Sequence, residues 1–264
     1  MTPMQITVKQ TLIFAACTIL FSSCYYNKRL IYLQDDSFSE SQPKQIQNVK
    51  SNYRLQTNDI LSVKVKSSTD ANVSDLFNIT TTTQAPNFIT PGNLFLEGYF
   101  IDSDGNITLP IIGTFPVKDL TIEQARDTIQ AKADRYLKNA TVIVKLISFK
   151  VTVLGEVRNP GYHYVYNNQV TILEALGLAG DLTSVASRKN VKLIRQTQTG
   201  SEVVLLDLTN PDLLKSKYFY LLPNDALYVE PLKARSGRLN LEHLTLLFSA
   251  ATTAILILNY LDDH

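Results

Sequence analysis

Between residues 61 and 66 apolar and polar positions alternate, with Leu61, Val63 and Val65 set against Ser62, Lys64 and Lys66. A period of two puts the apolar side chains on one side of a pleated chain, so the stretch predicts a half-buried strand. Apolar runs at 98–101 and 107–111 flank Asp102-Ser103-Asp104-Gly105-Asn106. They predict a hairpin, because an Asp-Gly pair is a turn former. The period then changes: Ile122, Ala125, Ile129, Ala133 and Leu137 recur at helical spacing. Thr121 and Gln124 stand where a capping box would satisfy the free backbone N–H groups of a helix start, so a helix is predicted from there to Asn139. The run 141–149 is almost continuously apolar or β-branched, as a buried strand requires.

A second unit repeats the mixture. Residues 151–157 and 162–165 read as strands on either side of Arg158-Asn159-Pro160-Gly161, where Pro160 and Gly161 mark a tight turn. Thr171-Ile172-Leu173-Glu174 is a second capping box, opening a short helix that stops at Gly177 or Gly180. Strands at 191–195, 203–208 and 226–229 follow. The pattern is α+β, with two small mixed domains at 53–150 and 151–234. The polar stretch 34–51 reads as a tether, and the Thr-rich stretch 69–93 as a long loop. Phe77 and Phe88 would expose large apolar area on that loop, so a subunit contact is expected there.

The two ends differ from the middle. Residues 11–21 are apolar but too few to span a bilayer, and they suit the core of a signal peptide. Leu20-Phe21-Ser22-Ser23-Cys24 resembles a bacterial lipobox, with Phe21 where Leu is commoner. That resemblance implies a signal peptide over 1–23, lipid on the Cys24 thiol, and a lipid-anchored tether over 24–52. At the other end, 244–261 carries no charge and would make about 27 Å of helix. A C-terminal transmembrane helix is therefore expected within 235–264, with His264 at the cell surface. Thr245, Thr252 and Asn259 fall seven apart with Ser249 beside them. They give one narrow polar face, which either lines an aqueous pore or eases helix packing.

Composition narrows the classes. A formal net charge of +1 and no basic run argue against nucleic acid as a partner. Cys17 lies in the signal core and Cys24 would be lipidated, leaving no disulfide, so the fold must rest on its 45% hydrophobic content. His163, His243 and His264 stand in no metal-ligand spacing, and Ile107 and Gly113 break the calcium-loop pattern that begins at Asp102. No nucleophile elbow, phosphate loop or dinucleotide fingerprint occurs, so neither a catalytic residue nor a cofactor or metal is assigned.

A family resemblance rests on separated motifs. Tyr53-Arg54-Leu55-Gln56-Thr57-Asn58-Asp59-Ile60-Leu61, then Asp104-Gly105-Asn106-Ile107-Thr108-Leu109-Pro110-Ile111-Ile112-Gly113, and Leu120-Thr121 resemble the export domain of Wza-type outer-membrane polysaccharide export lipoproteins. Val153-Leu154-Gly155-Glu156-Val157, Asn159-Pro160-Gly161, Thr171-Ile172-Leu173-Glu174-Ala175-Leu176 and Ala179-Gly180-Asp181 resemble the soluble-ligand-binding β-grasp domain that follows it. One β-grasp copy is found where larger members have two.

The resemblance implies a non-enzymatic subunit of a homo-oligomeric ring, lipid-anchored in the bacterial outer membrane and mainly periplasmic. It would carry capsular or exopolysaccharide outward and dock on an inner-membrane polysaccharide co-polymerase. The rival is a lipid-anchored envelope protein that binds a soluble glycan or scaffolds a complex without a pore. Gly155, Gly161 and Gly180 are read as serving backbone geometry, and Asn58 and Asp59 as turn or cap residues before a strand, with subunit contact as the second reading. Tyr162, Tyr164 and Tyr166 alternate along one strand face, to fill a core or a subunit seam or to stack on sugar rings.

Overall fold

β1 (Ile60–Ser67) is the central strand of the first domain, and its buried members are Leu61, Val63 and Val65, the alternation read above. It pairs antiparallel along its length with β5 (Ala140–Leu146), from Leu61 opposite Leu146 to Ser67 opposite Ala140. On its other side, among the described residues, Ile60 and Leu61 are paired with β2 (Tyr99–Phe100). Further along, the Asn78 side chain stands in for a strand, accepting from the Val65 N–H and donating to the Val65 carbonyl, both at 2.9 Å. The structure is a computed structural model and describes residues 30–50, 52–67, 76–78, 98–197, 199–232 and scattered positions between 245 and 257.

The two flanks of the expected hairpin do not pair with each other. β2 joins β1, while β3 (Asn106–Leu109) pairs with β4 (Gly113–Pro116). The reason is local. The Asp102 carboxylate accepts from the Asp104 and Asn106 N–H groups at 3.0 and 2.7 Å, an Asx-type turn that redirects the chain between sheets. Helix α1 (Ile122–Ala133) starts on the predicted capping box, with Thr121 and Gln124 bonded reciprocally. It buries Ala125, Ile129 and Ala133 and stops at Asp134, while Asn139 takes its left-handed conformation (φ 54°) in the turn before β5.

Phe77 corrects an expectation. It is 3% exposed and packs in the same core as Leu61, Ile107 and Ile129, with its ring against Tyr136. The ring therefore belongs to the domain interior and not to a subunit contact. Phe88 lies outside the described residues.

The second domain is built on a five-stranded sheet in the order β10-β9-β12-β6-β7. These strands are β6 (Lys150–Gly155), β7 (Gly161–Tyr164), β9 (Ala186–Thr197), β10 (Gly200–Leu206) and β12 (Ala226–Pro231). The central pair β6 and β12 is parallel, and every other pairing in this sheet is antiparallel. Val151, Val153, Leu193, Leu227 and Val229 lie on the inner face. Ile172 and Leu176 of helix α2 (Ile172–Leu178) cover them, and the helix opens on the second predicted capping box at Thr171 and Glu174. A small pairing of β8 (Val170–Thr171) with β11 (Tyr220–Leu221) and a 3-10 helix at Pro211–Lys215 complete the unit. The opposite face of the sheet leaves Leu154, Tyr162, Val203, Leu205 and Tyr228 exposed.

The segment read as a tether docks on this second domain. Leu33 and Gln34 donate backbone hydrogen bonds to the Leu208 and Thr209 carbonyls at 3.0 and 2.7 Å, and Asn48 donates to the Leu214 carbonyl at 2.8 Å. Tyr32 Oη donates to Asp181 Oδ1 at 2.6 Å while its ring lies 5.7 Å from the Arg188 guanidinium.

The expected C-terminal transmembrane helix is overturned: among the described residues no helix is long and apolar enough to cross a membrane. Thr245, Leu246, Ser249, Ala250, Thr252, Thr253 and Ile257 are helical positions, and all are exposed. Freedom from charge was too weak a criterion. The run 244–261 sits at the short limit of spanning length, and its Thr, Ser and Asn residues lower both apolarity and helix propensity. The fold is thus an α+β pair of domains in which strands predominate.

Candidate functional site at the seam between the two domains

The chain crosses between domains at Ile147, Ser148 and Phe149, and the turn before β1 is tied to that crossing. Asn58 takes a left-handed conformation (φ 70°), which aims the next residue, Asp59, inward. Asp59 is 3% exposed, although its sequence setting marked it only as a turn residue. Its Oδ2 accepts from Tyr53 Oη at 2.8 Å and from the Gln56 N–H at 2.9 Å, and its Oδ1 is 3.4 Å from Ser148 Oγ. Ser148 Oγ in turn accepts from the Ile60 N–H at 3.1 Å. Among the described residues no salt bridge reaches Asp59. Burial therefore pushes its carboxyl above the ordinary carboxylate range, although the three hydrogen bonds pull the other way.

That shift has a sign that can be tested. A carboxyl whose folded pKa is raised contributes stability that is complete below the unfolded value and is lost as pH rises through the folded value. Asp59→Asn mimics the protonated form. Its melting temperature relative to the parent should therefore climb, from no difference in acid to a gain at neutral pH. Thermal melts at the two pH values check this, and a pH-independent difference would show that the Asp59 carboxyl is not held in this state.

One concavity opens beside this cluster, and a second, on the second domain alone, shares Tyr164 with it. The first, of about 330 Å³, lies between Gln56–Ile60 on the first domain and Lys150, Tyr164 and Asn224 on the second. The other, of about 410 Å³, is bounded by Tyr164, Tyr166, Asn167 and Gln169 on one side and by Glu174, Gly177 and Leu178 of α2 on the other. Tyr164 borders both. The three tyrosines do not fill a core: Tyr162 and Tyr166 are 66% and 75% exposed. Tyr162 meets Tyr164 edge-on with centroids 5.9 Å apart, and Lys150 Nζ lies 5.9 Å from the Tyr162 ring.

The opposite end of the second domain holds the N-terminal segment. Burial, and then the hydrogen bond to Asp181, raise the Tyr32 hydroxyl well above its ordinary pKa. Burial acts to raise Asp181 as well, yet the bonds from Tyr32 and the Leu182 N–H, with Arg188 and Arg158 nearby, bring it below the carboxylate norm. The chain leaves β12 at the same corner, where the Leu232 N–H donates to the Val185 carbonyl at 2.7 Å. Of the residues singled out from sequence, Cys24 and Asn259 lie outside the described residues. Thr245, Ser249 and Thr252 are exposed helical positions, and their pore-lining role depended on the spanning helix and is carried no further. Among the described residues no cluster of His, Cys, Asp and Glu has the arrangement of a metal site.

Comparison with known proteins divides the chain at the same crossing. Residues 47–147 match the family model "Polysaccharide biosynthesis/export protein", and residues 150–206 match that of the SLBB domain. The chain is similar to the "EPS I polysaccharide export outer membrane protein EpsA" of Ralstonia solanacearum, 30% identical over 157 residues, which is 58% of this chain and 41% of that protein. The protein of the same name from Ralstonia nicotianae is 29% identical over 148 residues, covering 54% of this chain and 38% of the relative. The matched region thus spans about two fifths of these relatives' own length.

Proposed function

Since this chain belongs to the Wza-type polysaccharide export family, with an export domain followed by an SLBB domain, we propose that it is a lipid-anchored subunit of an oligomeric outer-membrane channel for capsular or exopolysaccharide. The observation that carries the reading is the tandem of the two domains in one chain, joined directly through Ile147–Lys150. It is a conduit and not an enzyme. Both named relatives are outer membrane export proteins, which supports the same site for this chain.

The fold gives the subunit a direction. β6 and β12 run parallel from the seam to the corner formed by residues 181–188, and Tyr32 is bonded at that far corner. Cys24 precedes Tyr32 by eight positions, so a lipid on its sulfur lies within about 28 Å of the corner even if the link is fully extended. In this arrangement the SLBB domain sits next to the membrane and the export domain points away from it. The export domain is then the part within reach of an inner-membrane co-polymerase.

Electron-microscopy class averages of the detergent-extracted protein test the channel. Rings with an axial opening are expected, and a stable monomer would favour a glycan-binding lipoprotein instead. A second test addresses the anchor. Cys24→Ala should abolish lipidation and leave an unprocessed precursor held at the inner membrane by its signal core. Membrane fractionation reads this, and normal outer-membrane recovery of the variant would refute the anchor.

A further inference from the structure

We propose that the seam between the two domains carries a saccharide-binding groove, with Tyr164 as its floor and Tyr162 and Tyr166 as its flanking rings. The proposal rests on the export reading and adds to it a contact point for the exported chain. Its basis is the juxtaposition of two kinds of surface that a pyranose demands together. A sugar ring presents a face of C–H bonds and a rim of hydroxyls, so it needs a flat apolar partner below and short donors and acceptors at the side.

The seam supplies both. Tyr164 is shared by the two adjoining cavities of about 330 and 410 Å³, each within the size range of small-ligand sites. Tyr162 and Tyr166, 66% and 75% exposed, hold large rings in water where burial would have been favourable for folding. Tyr162 meets Tyr164 edge-on, and Asn167 and Gln169, amides that both donate and accept, line the cavity with Tyr164 and Tyr166. Among the described residues, neither these two amides nor the hydroxyls of the three tyrosines enter a hydrogen bond with the rest of the protein. These amides and hydroxyls are therefore open to a ligand. Across the cavity Glu174 accepts the Thr171 N–H at 2.7 Å through one carboxylate oxygen, Oε2, and its other oxygen is a further acceptor. An open groove of this kind binds weakly, which suits a polymer that must move on.

The test uses the full chain in detergent, with short oligosaccharides made by mild acid hydrolysis of the producing strain's exopolysaccharide as the probe. Saturation-transfer NMR should show transfer to the sugar C–H protons. In Tyr162→Ser/Tyr166→Ser the affinity should fall roughly tenfold, about 1.4 kcal/mol, since both stacking faces are removed. Tyr162→Phe/Tyr166→Phe should restore most of it, because the stacking face survives. Oligomer size, followed in parallel, should not change. The groove is refuted by a parent protein that shows no transfer, by a Ser variant that binds as well as the parent, or by a Ser variant whose oligomer falls apart, which would assign the rings to subunit contact. Deleting the gene separates this from the export reading. Secretion that persists without the gene sinks the export role, whereas secretion lost together with a silent probe sinks the groove alone.

Discussion

Asp225→Ala should destabilise the second domain by about 3–5 kcal/mol, because it strands the Arg195 guanidinium without its partner in a nearly closed site. Asp225 is 1% exposed and Arg195 is 13% exposed along its side chain. The pair is bidentate: Arg195 Nε lies 3.0 Å from Oδ1 and Nη2 lies 2.7 Å from Oδ2. Oδ2 also accepts from the Leu222 N–H at 2.7 Å, and Arg195 Nη2 reaches the Tyr220 carbonyl at 3.3 Å. These bonds gather the 220–225 turn against β9, and the Asp225 carbonyl then accepts from the Thr152 N–H at 2.9 Å, so β6 depends on the same turn. The loss is mainly the cost of the uncompensated cation. Asp225→Leu combined with Arg195→Met should therefore recover much of it. Denaturant melts of the parent and the single and double variants check this, and an additive double variant would show that the two groups do not act as a pair.

Gly155→Ala is expected to cost about 2–4 kcal/mol, by strain and not by lost contacts. Gly155 ends β6 with φ 89°, a conformation that side chains rarely adopt, and a methyl group there would lie 2.1 Å from the Val229 carbonyl oxygen. That oxygen belongs to the backbone of β12 and accepts the Glu156 N–H at 3.0 Å, so it cannot move aside without opening the parallel pair. Gly177→Ala is the control, since a methyl group at Gly177 meets nothing within 4 Å. A melting temperature for Gly155→Ala equal to that of the control would refute the close approach. Gly180, in contrast, faces the Asn159 side chain, a neighbour better able to yield.

What sequence reasoning could reach was whatever is encoded within about ten residues. The alternation at Leu61, Val63 and Val65 and the capping boxes at Thr121 and Thr171 each specify an element by local hydrogen bonding and one buried face, and each is found in place. Pairing is another matter. Nothing in the residues of β2 says that it will lie against β1 and not β3, and nothing near Val153 announces a parallel partner at Leu227. The burial of Phe77 is hidden for the same reason: it depends on Tyr136 and on a core assembled from distant segments. The docking of Leu33 and Gln34 runs through backbone groups, to which composition is blind. At the seam, the tyrosine alternation was legible and its exposure was not. Asp59 was legible as a turn former, but its burial depends on Tyr53 and on Ser148, a partner far along the chain.

The parallel pairing of β6 with β12 has an architectural consequence. A domain whose first and last strands are antiparallel returns the chain to its starting side, so a tandem copy must fold back beside the first. Here the chain enters at Lys150 and departs past Val229 at the other pole, having advanced about 20 Å along strands of this length. Copies joined end to end through such a unit would add height without adding girth. The number of such units in a chain would then set its length, one strand's rise at a time.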